Sequence, residues 1–130
     1  ASVSAVASVK PGADSTQEPP TQADGKAATR KSIDAVWYRA RQAVWNGDIK
    51  AAIAAYRHLI QLRPHNADAH GELGNVLLQA GKFTAAAAEY AIAAKRLEAD
   101  GHTMAAWRLA EAVTTLDPAK GAALRKALMK

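Results

Sequence analysis

The sequence predicts an all-α fold, an α-solenoid of stacked antiparallel helix pairs, and three observations carry that prediction. Residues recur at a fixed interval of 34: Ala40 returns as Gly74, Gly47 as Gly81, Ile49 as Phe83, Ala52 as Ala86, Tyr56 as Tyr90 and Leu59 as Ala93. Such a period marks a supersecondary unit that cannot bury its apolar face alone and stacks on copies of itself. Within each period the apolar residues follow the spacing of a helix face, and glycine or proline stands where a helix has to end. Finally, 49% of the chain is apolar but only 5% aromatic, so the core is made of small side chains in close contact, which suits helices packed side by side.

The first residues stand apart from this pattern. Residues 1–30 are rich in Ala, Ser, Thr and Gln, hold no aromatic residue, and carry Pro11, Pro19 and Pro20. They cannot bury enough apolar surface to offset their ordering entropy, so a disordered linker is expected there. Ala5-Val6-Ala7 has the small-x-small form of a signal-peptidase site, but no hydrophobic core precedes it, and an Ala/Ser-rich tether is the better reading. Because the chain begins at Ala1, it is expected to be processed or a piece of a longer protein whose anchor or further domain lies upstream.

A folded domain is expected over residues 31–130. Ser32 stands before Ile33 as a cap, and Val36, Ala40, Ala43 and Val44 mark the inner face of the first helix. Asn46-Gly47 stops it, since glycine takes the left-handed conformation cheaply. Asp48 caps the next helix, with Ile49, Ala52, Ile53, Tyr56, Leu59 and Ile60 inward, and Arg63-Pro64 ends it. The second unit repeats this grammar: Asn66 or Asp68 at the cap, Leu73, Gly74, Val76 and Leu77 on one helix, Gly81 at the turn, then Phe83, Ala86, Ala87, Tyr90 and Ala94 on a helix running to about Leu97 before Gly101. A shift of two residues restores the period afterwards. Met104, Trp107, Leu109, Ala110 and Val113 then form the first helix of a third unit, Trp107 falling where Trp37 falls in the first. Asp117-Pro118 opens a final helix with Ala123, Leu124, Ala127 and Leu128 inward and Arg125, Lys126 and Lys130 outward, a polar-backed cap for the array.

These residues resemble the tetratricopeptide repeat family: two clear units, a degenerate third and a C-terminal capping helix. The second unit matches best, through Leu73, Gly74, Gly81, Phe83, Ala86, Tyr90 and Ala93; the first matches through Ala40, Gly47, Ile49, Ala52, Tyr56 and Pro64, with Arg39 and Ala43 departing from the family's preference for leucine and tyrosine. The pattern expects Ala40 against Ala52 and Gly74 against Ala86, with Tyr56 and Tyr90 filling the wedge between each pair and the next. The resemblance implies a concave groove lined by the first helix of each unit, where such proteins hold extended peptides or partner helices.

Placing those helices in common register puts Trp37, Tyr38, Arg41 and Trp45 on the groove from the first unit, Gly71, Glu72, Asn75 and Gln79 from the second, and Met104, Trp107, Arg108 and Glu111 from the third. Exposed aromatics beside arginine are what binding hot spots are made of, and the amide of Asn75 suits a ligand's backbone. The family's clamp for a terminal carboxylate is not expected: Arg108 alone meets its requirement, while Trp37, Arg41, Glu72 and Met104 stand at its other positions. His65, Asp68 and His70 cluster in sequence, but zinc needs three or four ligands in fixed geometry, and solvated turn histidines are the expectation.

No catalytic constellation, phosphate loop, metal site or cofactor site is read from the sequence, and with no cysteine there is no thiol chemistry. The net charge is +5, yet bases and acids nearly cancel between Ile33 and Leu116, so nucleic acid is not an expected partner. The surplus sits on Lys120, Arg125, Lys126 and Lys130, which leaves anionic lipid or nucleic acid as a weaker idea for the last helix. No apolar run is long enough to span a bilayer. The expectation is therefore a non-catalytic protein–protein interaction module that binds a peptide or partner helix. It is expected to belong to a larger bacterial envelope or assembly protein, periplasmic or membrane-tethered rather than cytoplasmic. The alternative is a structural scaffold that self-assembles into homo-oligomers through its end faces.

Overall fold

Three turns of one chemistry set the architecture. In the computed structural model, which describes residues 29–130, Gly47, Gly81 and Gly101 have φ of 75°, 77° and 87°. Each ends a helix in the same way. The residue after the glycine donates to a carbonyl five residues back (Asp48 to Ala43, Lys82 to Leu77, His102 to Leu97, all 2.8 Å), and the glycine N–H donates to the carbonyl three back at 3.0 Å. These paired bonds satisfy carbonyls that a helix end leaves orphaned.

Between such turns the described residues form six helices: α1 (Arg30–Trp45), α2 (Ile49–Leu62), α3 (Ala67–Gln79), α4 (Phe83–Ala99), α5 (Thr103–Leu116) and α6 (Pro118–Leu128). Side-chain caps open three of them. Asp48 accepts from the Ala51 N–H at 3.1 Å, Asn66 from Ala69 at 3.0 Å and Asp117 from Lys120 at 3.1 Å, with Pro118 at the first helical position of α6. α1 begins earlier than its expected cap, because Thr29 Oγ1 takes the Ser32 N–H at 3.0 Å and Ser32 lies inside the helix. The expected linker lies, but for Thr29 and Arg30, outside the described residues. The chain divides into two compact units within α1, after Ala35, and Val36–Lys130 make up the second.

That unit is an all-α stack in which α3 packs on α2, α4 on α3, α5 on α4 and α6 on α5. Its core is small, as the composition implied: Ala40, Ala52, Ala69, Ala86, Ala93, Ala94, Ala106 and Ala110 are fully buried, together with Leu59 and Val113. Larger groups fill it at Tyr56, Leu73, Leu77, Tyr90 and Leu124.

Four expectations about packing are corrected. The residue facing Gly74 is Tyr90: a Cβ on Gly74 would stand 2.6 Å from the ring's Cδ1 and Cε1. Tyr90 thus fills its own helix pair rather than the wedge to the next. Phe83 is 54% exposed, because as the first residue of α4 its side chain points back past the helix end. On α6 the buried stripe is Gly121, Leu124 and Leu128, and Ala123 and Ala127 are exposed. Gly121 brings α6 onto the Thr114 backbone of α5, where no Cβ fits, and this turns the helix so that Arg125 lies half-buried with Nη1 donating to Thr114 Oγ1. Finally, His70 is no solvated turn residue. It is buried on α3, its Nδ1 2.7 Å from Glu89 Oε1 on α4 and its Nε2 2.7 Å from the Pro64 carbonyl in the α2–α3 turn.

Candidate protein-interaction site

The repeat places a tyrosine at the same point of α2 and α4, and what each finds there differs. Tyr56 is 2% exposed, and its hydroxyl donates to Glu72 Oε1 on α3 at 2.6 Å. Glu72 also receives Arg41 of α1 through two bonds, Nε to Oε1 at 3.0 Å and Nη2 to Oε2 at 2.7 Å. The Arg41 guanidinium lies 4.4 Å from the centroid of the Trp37 ring, and Trp37 meets Tyr56 edge-to-face at 6.3 Å and 82°. Four side chains from three helices therefore form one network in which the cation has a carboxylate and an aromatic face as partners.

Tyr90 has no such carboxylate, because with the two-residue shift the residue of the third unit equivalent to Glu72 is Arg108. Its hydroxyl donates instead to Asn75 Oδ1 of its own pair at 2.6 Å, an approach that Gly74 permits. With Oδ1 occupied, the amide of Asn75 presents its two N–H donors outward. The equivalent of Asn75 one unit earlier is Arg41, a residue without an acceptor, which is why Tyr56 turns to Glu72.

Beside Tyr56 lies a cleft of about 380 Å³ lined by Arg41 and Val44 of α1, Tyr56 of α2, and Glu72, Asn75, Val76 and Gln79 of α3. Electrostatics hold its walls. Burial alone would push the Glu72 carboxyl up, but the hydrogen bond from Arg41, then that from Tyr56, outweigh it and hold Glu72 below the usual carboxylate value. The bond to Glu72 raises Arg41 further. Burial, and after it the bond to Glu72, push the Tyr56 hydroxyl far above its ordinary value; burial also raises Tyr90. At neutral pH the network is thus one cation, one anion and one neutral hydroxyl.

Of the residues expected on the groove, the structure gathers Trp37, Arg41 and Glu72 into this network and sets Asn75 and Gln79 beside it in the cleft. Gly71 stands half-buried on α3, with nothing within 4 Å of where a Cβ would be. Tyr38 and Trp45 are 65% and 85% exposed on α1 and do not line the cleft. On α5, Met104 and Arg108 are exposed and Trp107 is half-buried, and none of the three lines it. The hydroxyl bonds of the two tyrosines were not legible beforehand. The 34-residue offset pairs the tyrosines with one another, but their partners lie in opposite directions along the chain, Glu72 sixteen residues after Tyr56 and Asn75 fifteen before Tyr90.

Among the described residues no group of three or more His, Cys, Asp or Glu is placed to hold a metal ion, and no helix is long and apolar enough to cross a membrane. Stacked helix pairs with a cleft between their first helices define a helical-repeat interaction module, a non-catalytic scaffold. The family model described as tetratricopeptide repeat matches residues 45–107, and over those residues the chain belongs to that family. The match takes in α2, α3 and α4 with Glu72 and Asn75, and leaves Trp37 and Arg41 just outside. Among curated proteins none matches the chain.

Proposed function

We propose that this interaction module holds an extended peptide segment in the cleft between α1 and α3. Asn75 and Gln79 meet the ligand's backbone, and Arg41, Tyr56 and Glu72, tied into one network with Trp37, line the cleft beside them. The observation that carries the reading is the bond from Tyr90 to Asn75 Oδ1, which occupies the amide oxygen of a cleft-lining residue and leaves its N–H groups for a ligand. A buried tyrosine spent on orienting a surface amide is what presenting a preorganised donor to a carbonyl requires.

The test separates orientation from donation. Asn75→Asp keeps an acceptor for Tyr90 while replacing the N–H donors with oxygen. The immobilised full chain is challenged with a library of acetylated, amidated hexapeptides. Wild type is expected to retain a subset, and Asn75→Asp to retain the same subset about three- to tenfold more weakly with helicity unchanged, the worth of one or two hydrogen bonds. Equal retention by the two would contradict the proposal.

The wider setting we propose is a bacterial envelope or assembly protein, supported by the Ala/Ser/Pro-rich composition of residues 1–30. Fractionation of the source cells that finds the chain only in the soluble cytosol would contradict that part.

A further inference from the structure

We infer that Glu72 sets the charge selectivity of the cleft: by neutralising Arg41 it makes the cleft select an uncharged stretch of peptide over one carrying a carboxylate or a basic group there. The inference rests on reading the cleft as a peptide site. Among the lining residues Arg41 is the one cation and Glu72 the one anion. Nε and Nη2 of the guanidinium are both spent on one carboxylate, and the Trp37 ring lies against it. Glu72 in turn has Tyr56 on the oxygen that takes Nε. An incoming carboxylate has to displace Glu72 and leave it part-buried with a hydroxyl alone; an incoming cation has to draw Glu72 away from Arg41. Either exchange trades one charge-assisted pair for another and strands a charge.

What stays unspent is neutral: the Asn75 N–H groups, the exposed Gln79 amide, and the apolar Val44 and Val76. Those groups match a backbone carbonyl flanked by small uncharged side chains. The arrangement is also particular to this place in the array. One unit on, Asn75 stands for Arg41 and, after the two-residue shift, Arg108 stands for Glu72, so the next repeat holds no such pair.

The experiment is a charge cycle read on the same acetylated, amidated hexapeptide library, with Asp, Glu, Lys and Arg scanned through each position. Wild type is expected to favour uncharged residues at the central positions, with retention insensitive to salt. Glu72→Gln keeps an acceptor for Tyr56 and Arg41 but frees the positive charge, and is expected to shift selection toward Asp or Glu by about fivefold, modest because Arg41 is 57% exposed. Arg41→Gln is expected to shift it toward Lys or Arg by a similar factor, and the double variant to return to uncharged ligands. Circular dichroism checks that each variant is folded, and the double variant keeps the test decisive if one single variant is not. A wild-type preference for acidic or basic residues, or single variants with unchanged selection, would overturn the inference while leaving the cleft a peptide site. Retention of no hexapeptide by any variant would overturn the peptide site and the inference with it.

Discussion

Gly71 and Gly74 lie three residues apart on α3, and replacing each with alanine is expected to move stability in opposite directions. At Gly74 the new methyl would stand 2.6 Å from Cδ1 and Cε1 of Tyr90 and 3.2 Å from Cζ, where carbon atoms rest at about 3.5–4.0 Å. The ring has little room, being 4% exposed and tied through its hydroxyl to Asn75. Overpacking of this kind costs about 1–3 kcal/mol, and a ring that retreats also gives up its hydrogen bond, worth about 1 kcal/mol. Alanine's better helix propensity returns about 1 kcal/mol. The net expectation for Gly74→Ala is a loss of about 1–3 kcal/mol. At Gly71 nothing lies within 4 Å of the Cβ position, so only the propensity term acts and Gly71→Ala is expected to gain about 0.5–1 kcal/mol. Urea unfolding of the full chain, followed by circular dichroism, reads both as shifts in midpoint at constant slope. A Gly74→Ala variant as stable as wild type, or a Gly71→Ala variant that is less stable, would refute the reasoning.

Three further outcomes follow from the same geometry. Glu72 has its carboxyl lowered in the folded state, so its contribution is complete above the ordinary value of 4.5 and is lost as pH falls through the lowered one; urea midpoints are expected to drop over that acid window in wild type and to drop less in Glu72→Gln. His70→Ala leaves the Pro64 carbonyl and the Glu89 carboxylate without their buried partner and is expected to cost about 2–3 kcal/mol in the same assay; a loss under about 0.5 kcal/mol, the scale of an ordinary surface change, would contradict the assigned role. Gly121→Ala drives a methyl into the Thr114 backbone and is expected to cost about 3 kcal/mol, whereas Ala123→Lys on the exposed face of α6 should change stability by less than about 0.5 kcal/mol; a reversed order would contradict the orientation of α6.

The elements were legible because their signals are local. Gly47, Gly81 and Gly101 stop helices through their own φ, and Asp48, Asn66 and Asp117 cap them through their own side chains, so the helix pairs could be read from short stretches of sequence. Burial on α2 was legible too, since Ala52, Tyr56 and Leu59 repeat the spacing of one face. What escaped depends on approach between helices. Nothing near Gly121 in sequence reveals that Thr114 lies against it, so Leu124 and Leu128 were placed inward from their spacing but Ala123 and Ala127 were set beside them instead of Gly121. His70 and Glu89 are nineteen residues apart with no shared period, so a histidine in a turn-like stretch passed for a solvated one. The groove residues named from register included Trp37, Arg41, Glu72 and Asn75, but register says only which face a residue shares. It does not reveal that Arg41 and Glu72 bind one another, nor that a tyrosine from α4 holds Asn75 in place.

The cleft as the peptide site, with Asn75 as its donor, is tested most directly by NMR titration of the ¹⁵N-labelled full chain with the hexapeptide best retained from the library. The Asn75 side-chain amide is expected to shift most, together with Gln79 and the Trp37 indole, while the α5 residues Met104, Trp107 and Arg108 stay in place. Shifts confined to α5, or to Trp45 and Phe83, with the Asn75 amide unmoved, would contradict it.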